Sequence, residues 1–314
     1  MDFVASAPSL PSRGSGDLKE WYANHYKWLM IIPVVILIAC LGIIGNHYVK
    51  TGDFVDRDVS LKGGLTLTIS TELKADDMEE YLSSRFAGSD ILVRTLTEFG
   101  TSEQTGIIIE ASDVEEADIK AVVQERMQKE SSGFLLTKEN YSAEQVGSSL
   151  GESFYRQMLT AILLAFAFMA VVVLITFRSV IPSFTVVFCA FCDMIFPIAI
   201  MNLAGIRLST AGIAALLMLI GYSVDTDILI TTKALKRQEE RSVIERMFDG
   251  MKTGLTMTLT TIVALTAGYF VSNSFVIKEI FLIIIIGLLY DMVVTYLFNT
   301  GVLVWWVKRK AGGQ

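Results

Sequence analysis

The chain has 314 residues, 52% of them hydrophobic, a formal net charge of −7 and a mean hydropathy of +0.52. That hydropathy excludes an ordinary soluble globule or a disordered chain and places the protein among integral membrane proteins. An acidic balance with no polybasic face excludes nucleic acid as a partner.

Residues 1–20 are rich in Ser, Pro and Gly and are expected to be disordered, the first part of a cytoplasmic N-terminal stretch, 1–27. Trp21, Tyr22, Tyr26 and Trp28 then form an interfacial aromatic belt. Six stretches are long and apolar enough to span a bilayer: 28–45, 158–177, 180–203, 208–232, 253–272 and 279–307. The sequence "LIAC" ending at Cys40 faintly resembles a lipoprotein cleavage site. However, the apolar run continues past it and Asp2, Asp17 and Glu20 precede it, so a retained signal-anchor helix is the better account. The first span is assigned to 28–46. A polar segment, 47–155, is large enough for its own core. Five spans then occupy 156–307, and 308–314 is a cytoplasmic tail. The expected fold class is a polytopic α-helical membrane protein of six transmembrane helices, with an α+β extracytoplasmic domain between helices one and two.

In that domain Leu65, Leu67 and Ile69 alternate with Thr66, Thr68 and Ser70, as in a strand with one buried face. A helix follows from about Ala75. Two strands in "DILVRTLTEF" and "TGIIIEAS" are joined by a turn containing Gly100, and a second helix places Val114, Ile119, Val122, Val123 and Met127 near helical spacing. With a last strand at 134–137, the order is that of a ferredoxin-like split βαβ sandwich.

Lys233, Lys236, Arg237, Arg241 and Arg246 lie between spans four and five, Arg178 between two and three, and Lys308, Arg309 and Lys310 after six. The other short loops carry only Arg207 and Lys278. By the positive-inside rule both termini are cytoplasmic and the domain is outside, in a multi-pass protein of the cell membrane. Residues 233–250 read as a charged amphipathic helix lying on the membrane surface.

The fourth span carries Asp225 and Asp227 in "LIGYSVDTDILI". A carboxylate at mid-membrane costs about 2.5–3.5 kcal/mol on insertion scales, and such residues usually relay protons, bind ions or pair with cations. Helical residues step about 100°, so the two aspartates point about 200° apart and cannot share one partner. One is expected to line the bundle interior and the other to sit nearer the cytoplasmic interface. Asp225, the deeper of the two, is the expected interior group; Asp227 lies about 9 Å of helix from Lys233. Asp193 and Asp291 sit near mid-span in helices three and six. Helix five supplies Thr253, Thr256, Thr258, Thr260 and Thr261, a candidate water wire or ordinary interhelical glue. Cys189 and Cys192 have CxxC spacing but no second ligand pair, and all three cysteines fall inside spans. They read as small hydrophobes, with no disulfide, metal or cofactor implied.

Three segments together resemble the SecF members of the SecD/SecF protein-export family, within the resistance-nodulation-division transporter superfamily. They are "DVSLKGGLTLTI", with Asp58, Gly63 and Gly64; "EQVGSSLGESFYRQMLTAILLA", with Val146, Gly147, Gly151 and Glu152 but Ser148 for the usual Pro; and "LSTAGIAALLMLIGYSVDTDILI", with Gly221, Tyr222 and Ser223. The likeness runs over about 250 residues. The family's Asn-Asp after Gly-Tyr-Ser-Val is Asp225–Thr226 here, with Asp227 one place on. Its His-Asp in helix three is Cys192–Asp193, and its basic residue early in helix five aligns with Thr253, beside Lys252. These departures suggest an archaeal-type member.

The resemblance implies a proton-driven accessory of protein export. It also implies a SecD-like partner, association with the Sec translocation channel and action on a translocating polypeptide in the lipid bilayer. Asp225, Asp227, Asp193, Asp291, Lys252, Thr253 and Thr256 are the relay candidates, and which aspartate relays is open. Two other readings compete. Small-molecule efflux by the same superfamily usually needs two six-helix halves. An intramembrane aspartyl protease, which would make the chain an enzyme, lacks its Gly-x-Gly-Asp loop here.

Overall fold

The computed structural model describes residues 21–22, 25–73, 77–97, 104–131, 133–137, 139–235, 243–272 and 274–311. Residues 1–20, the Gly100 turn, Lys236, Arg237 and Arg241 lie outside these, so the expectations made for them stay as expectations. The chain order is α1 (Ile31–Thr51), α2 (Val59–Lys62), β1 (Gly64–Ser70), α3 (Met78–Arg85), β2 (Ile91–Thr97), β3 (Gln104–Ala111), α4 (Glu116–Glu130) and β4 (Tyr141–Val146). It continues with α5 (Ser148–Phe177), α6 (Val180–Ala204), α7 (Thr210–Leu235), α8 (Val243–Val271), α9 (Phe275–Val293), a π-helical segment (Val294–Asn299) and α10 (Thr300–Ala311). Six helices are long and apolar enough to cross a membrane, the first being His25–Thr51 and the last Phe275–Lys310, which combines α9, the π segment and α10.

The four strands form one antiparallel sheet in the order β2-β3-β1-β4. Leu65, Leu67 and Ile69 face α3 and α4, and with Ile107, Ile109, Leu82, Ile119, Val123 and Met127 they make the domain core. The period-2 alternation of β1 is what buries one face and leaves its threonines on the other. The last strand is not at 134–137. Phe134 and Leu136 do pack on the core, but their backbone is satisfied by the Gln124 amide, which donates to Phe134 O at 2.7 Å and accepts from Leu136 N at 2.8 Å. The strand falls instead at Tyr141–Val146, whose polar sequence carries little alternation of its own and is held by pairing with β1.

No separate surface helix occupies 233–250 among the described residues. The α7 helix runs on to Leu235, and α8 begins at Val243 and continues unbroken to Val271. Met247 is buried because Tyr22, Tyr26, Ile230, Ala234, Leu303 and Val304 enclose it.

The domain is joined to the bundle by backbone rather than by a loose tether. Asp58 caps α2 by accepting from Ser60 N at 2.9 Å, and Ser60 Oγ in turn accepts from Thr210 N at the start of α7 at 3.1 Å. Asp58 N donates to Leu208 O at 3.0 Å and Leu208 N to Asp56 O at 2.6 Å. Gly63 and Gly64 have φ of +87° and +141°. A Cβ on Gly63 would stand 2.6 Å from Ser148 N, and one on Gly151 would stand 2.7 Å from Gly63 N. Gly63 and Gly151 therefore mark a close backbone crossing between α2 and α5, whereas a Cβ on Gly64 would stand 2.5 Å from Ala111 O of β3. Gly147, the residue before α5, has ordinary backbone geometry and open space around it.

Candidate functional site

The three helices α6, α7 and α9, with the π segment, converge on a buried polar cluster in an otherwise apolar bundle. Asp193, Asp227 and Asp291 are each fully buried, as are Ser223, Thr295 and Asn299. Thr295 Oγ1 lies 2.9 Å from Asp227 Oδ1 and 3.0 Å from Asp291 Oδ1, bridging the two. Asn299 Nδ2 donates to Asp227 Oδ1 at 2.6 Å. The Ser223 hydroxyl donates to Asp193 Oδ2, and the Asp193 and Asp291 carboxyls are within reach of each other. One oxygen of each carboxyl, together with Asn299 Oδ1 and Thr231 Oγ1, is buried with no hydrogen-bond partner among the described residues.

The π segment sets this alignment. Asp291, Thr295 and Asn299 are spaced by four, and four residues of an ideal α-helix overshoot a turn by about 40° each time. The wider turns of the π segment take back that drift, so all three side chains reach the same cluster. The Thr300 hydroxyl donates to Thr295 O at 2.7 Å and Tyr296 O at 2.9 Å, serving carbonyls in the wider turn.

Among the described residues none of the three aspartates forms an ion pair with a basic side chain. Buried charge needs a counter-charge, so whatever negative charge the cluster carries must be matched by bound protons or by a cation. No group of three His, Cys, Asp or Glu side chains among the described residues is placed to hold a metal ion. Hydroxyl-bridged carboxyls without a basic partner are groups between which protons can exchange.

The expected placement of the two α7 aspartates is reversed. Asp227 is the interior residue, whereas Asp225 is exposed on the outward face with Ala214, Met218, Gly221 and Tyr222. The 200° separation was legible; which residue faced inward depended on how α7 is rotated against α6 and α9. Lys252, Thr253 and Thr256 are also on an exposed face and do not join the cluster. Thr253, Thr256 and Thr260 hydroxyls donate to carbonyls of their own helix at 2.9 Å, and Lys233 Nζ donates to Thr253 Oγ1 at 3.0 Å. Gly254 of α8 packs on Thr226, and a Cβ there would come 2.8 Å from Thr226 Cγ2. Thr295 and Asn299 were not anticipated. The signal that could have found them is the four-residue spacing of polar groups after Asp291.

A second polar group lies where the domain meets the bundle. Glu279 is buried at the start of α9 and accepts from Ser209 N at 3.1 Å and from Ser209 Oγ at 2.8 Å, tying together the ends of α7 and α9 that face the domain. Arg94 of β2 pairs with Glu110 of β3 at 3.1 Å and lies 4.2 Å over the Phe275 ring. Burial pushes the Asp58 and Glu110 carboxyls above the ordinary carboxylate range, with Arg94 opposing it for both.

Residues 126–309 match the family described as protein export membrane protein SecD/SecF, C-terminal. A protein-export membrane protein SecF from Pyrococcus furiosus is 37% identical over 92% of this chain and 93% of its own length. SecF proteins from Methanothermobacter thermautotrophicus and Haloferax volcanii are 35% and 34% identical, over 92% and 91% of this chain and 95% and 93% of their own lengths. Among solved structures, SecDF of Thermus thermophilus, titled a translocon-associated membrane protein, superposes with a TM-score of 0.70 at 17% identity. That match covers 91% of this chain and 38% of the Thermus chain, so it speaks to the fold.

Proposed function

This chain belongs to the SecF family of protein-export membrane proteins, and we propose that, with a SecD-like partner, it uses the proton gradient to promote polypeptide translocation through the Sec channel. The observation that carries the proton role is the cluster of Asp193, Asp227 and Asp291, buried together without a basic partner among the described residues. Proton entry or exit changes the charge held between α6, α7 and α9, and the helices repack in response. Glu279–Ser209 and the Asp58–Leu208 and Ser60–Thr210 contacts carry that repacking to the outer domain. Each proton moved is worth about 2.3 kcal/mol per 100 mV.

Orientation follows from charge. Arg178, Lys233, Arg246, Lys308, Arg309 and Lys310 lie at the end away from the domain, and Arg207 and Lys278 at the domain end. Both termini are then cytoplasmic, and the domain is outside the cell membrane. The partner role rests on the outward stripe Ala214, Met218, Gly221, Tyr222 and Asp225. Small residues suit close helix contact, and a second half-bundle spares Asp225 from lipid. The name translocon-associated, given to the Thermus protein, supports placement beside the channel. Efflux of small molecules is not favoured, because the relatives matched over nine-tenths of the chain are protein-export proteins.

Two measurements test this. The chain, purified in mild detergent from its native membrane, is expected to bring a SecD-like subunit with it. In vesicles carrying the pair, a protonophore is expected to slow polypeptide translocation to the rate seen without this chain. Translocation indifferent to the protonophore would overturn the coupling role, and a functional monomer the partner role.

A further inference from the structure

The carboxyl cluster is walled off unequally at its two ends. Toward the domain, the next side chains on the same helices are Leu216, Leu219, Ile283, Ile284 and Leu288, all buried in one apolar cluster, with Leu219 pressed onto Gly287. Toward the other end polar groups continue. Thr231 lies one turn past Asp227, and Asn299, Tyr296 and Thr300 follow on the π segment and α10. The buried Thr231 Oγ1 and Asn299 Oδ1 have no hydrogen-bond partner among the described residues, while the Tyr296 hydroxyl turns toward Gly254 and Thr258 of α8.

This polar lane ends under Tyr22, on the segment that precedes α1. Tyr22 is 7% exposed, and its hydroxyl donates to Tyr296 O at 3.0 Å. Its ring meets Phe248 edge-on at 5.8 Å, and Tyr26, Met247, Leu303 and Val304 complete the seal. The acceptor is a π-segment carbonyl that also takes the Thr300 hydroxyl, so side chains satisfy it. Water can replace a side-chain hydroxyl at such a carbonyl with little loss, so the Tyr22 contact can open without unravelling the helix.

We infer that Tyr22 is the gate over the cytoplasmic mouth of the path to Asp227, and that the apolar layer above the cluster closes the opposite side in this conformation. The gate rests on the ion-coupling role and orientation proposed above.

Cys189 provides a native reporter, because it is fully buried on α6 beside Asp227. The experiment uses the full chain with its copurified partner, with Cys40→Ala and Cys192→Ala leaving Cys189 as the reactive thiol of this chain. A small membrane-impermeant methanethiosulfonate reagent is applied to inside-out vesicles. Tyr22→Phe keeps the ring and its packing and removes one hydrogen bond, so labelling is expected to quicken by roughly threefold to tenfold. Tyr141→Phe serves as the control: it removes a tyrosine hydroxyl bond in the sheet domain, to Glu116 Oε1 at 2.8 Å, away from Cys189, and is expected to leave the rate unchanged. From the outer side of right-side-out vesicles both should label as slowly as the parent.

Equal rates for parent and Tyr22→Phe would overturn the gate, as would equal acceleration by both tyrosine variants. The labelling does not depend on ion coupling. Normal export by Asp227→Asn would overturn the ion role while leaving these rates as stated, and an unmoved rate would remove the gate while leaving Asp227 its role.

Discussion

Asp227→Asn is expected to lower proton-dependent export by roughly tenfold or more, because it removes an ionisable group at the centre of the cluster while preserving its shape. The amide oxygen of the asparagine can still accept from Thr295 and Asn299, which reach Asp227 Oδ1 at 2.9 and 2.6 Å. Membrane insertion, thermal stability and retention of the partner should therefore stay close to the parent values. Asp225→Asn, on the outward face, is expected to act through partner retention and to leave the interior cluster intact. Export in a strain lacking the wild-type copy and partner copurification separate the two variants. If Asp227→Asn exports normally, the interior carboxyl is structural.

Gly63→Val is expected to destabilise the chain by about 3 kcal/mol or more, summing left-handed backbone strain and overpacking. Gly63 has φ +87°, and its Cβ would stand 2.6 Å from Ser148 N and 2.9 Å from Gly147 C, both backbone atoms that cannot rotate aside. Separating them would lift α2 from the start of α5 and loosen the joint through Asp58 and Leu208. Gly42→Ala is the matched comparison: Gly42 lies within α1, and nothing stands within 4 Å of its Cβ position. Alanine there is expected to be neutral or stabilising by under about 1 kcal/mol. Thermal unfolding of both in the same detergent decides this, and equal melting would show that the crossing tolerates a side chain.

Six spans, one α+β domain between the first two and a set of carboxyls within the spans were legible in the sequence because each rests on local chemistry. Long apolar runs must cross hydrocarbon, and the alternation of Leu65, Leu67 and Ile69 must bury one face. The caps and glycines around Asp58 and Gly63 were visible as a motif, although their use as a backbone crossing was not. Three features were settled by neighbours distant in the chain. β4 is a strand because β1 offers it a ladder, and 134–137 is not because Gln124 satisfies its backbone first. Residues 243–250 extend α8 because Met247 finds a pocket under Tyr22 and Tyr26. Asp227 rather than Asp225 is interior because helix periodicity gives only the angle between two residues. The rotation of α7 against α6 and α9, and the π turns that bring Thr295 and Asn299 onto the same carboxyl, come from tertiary packing alone.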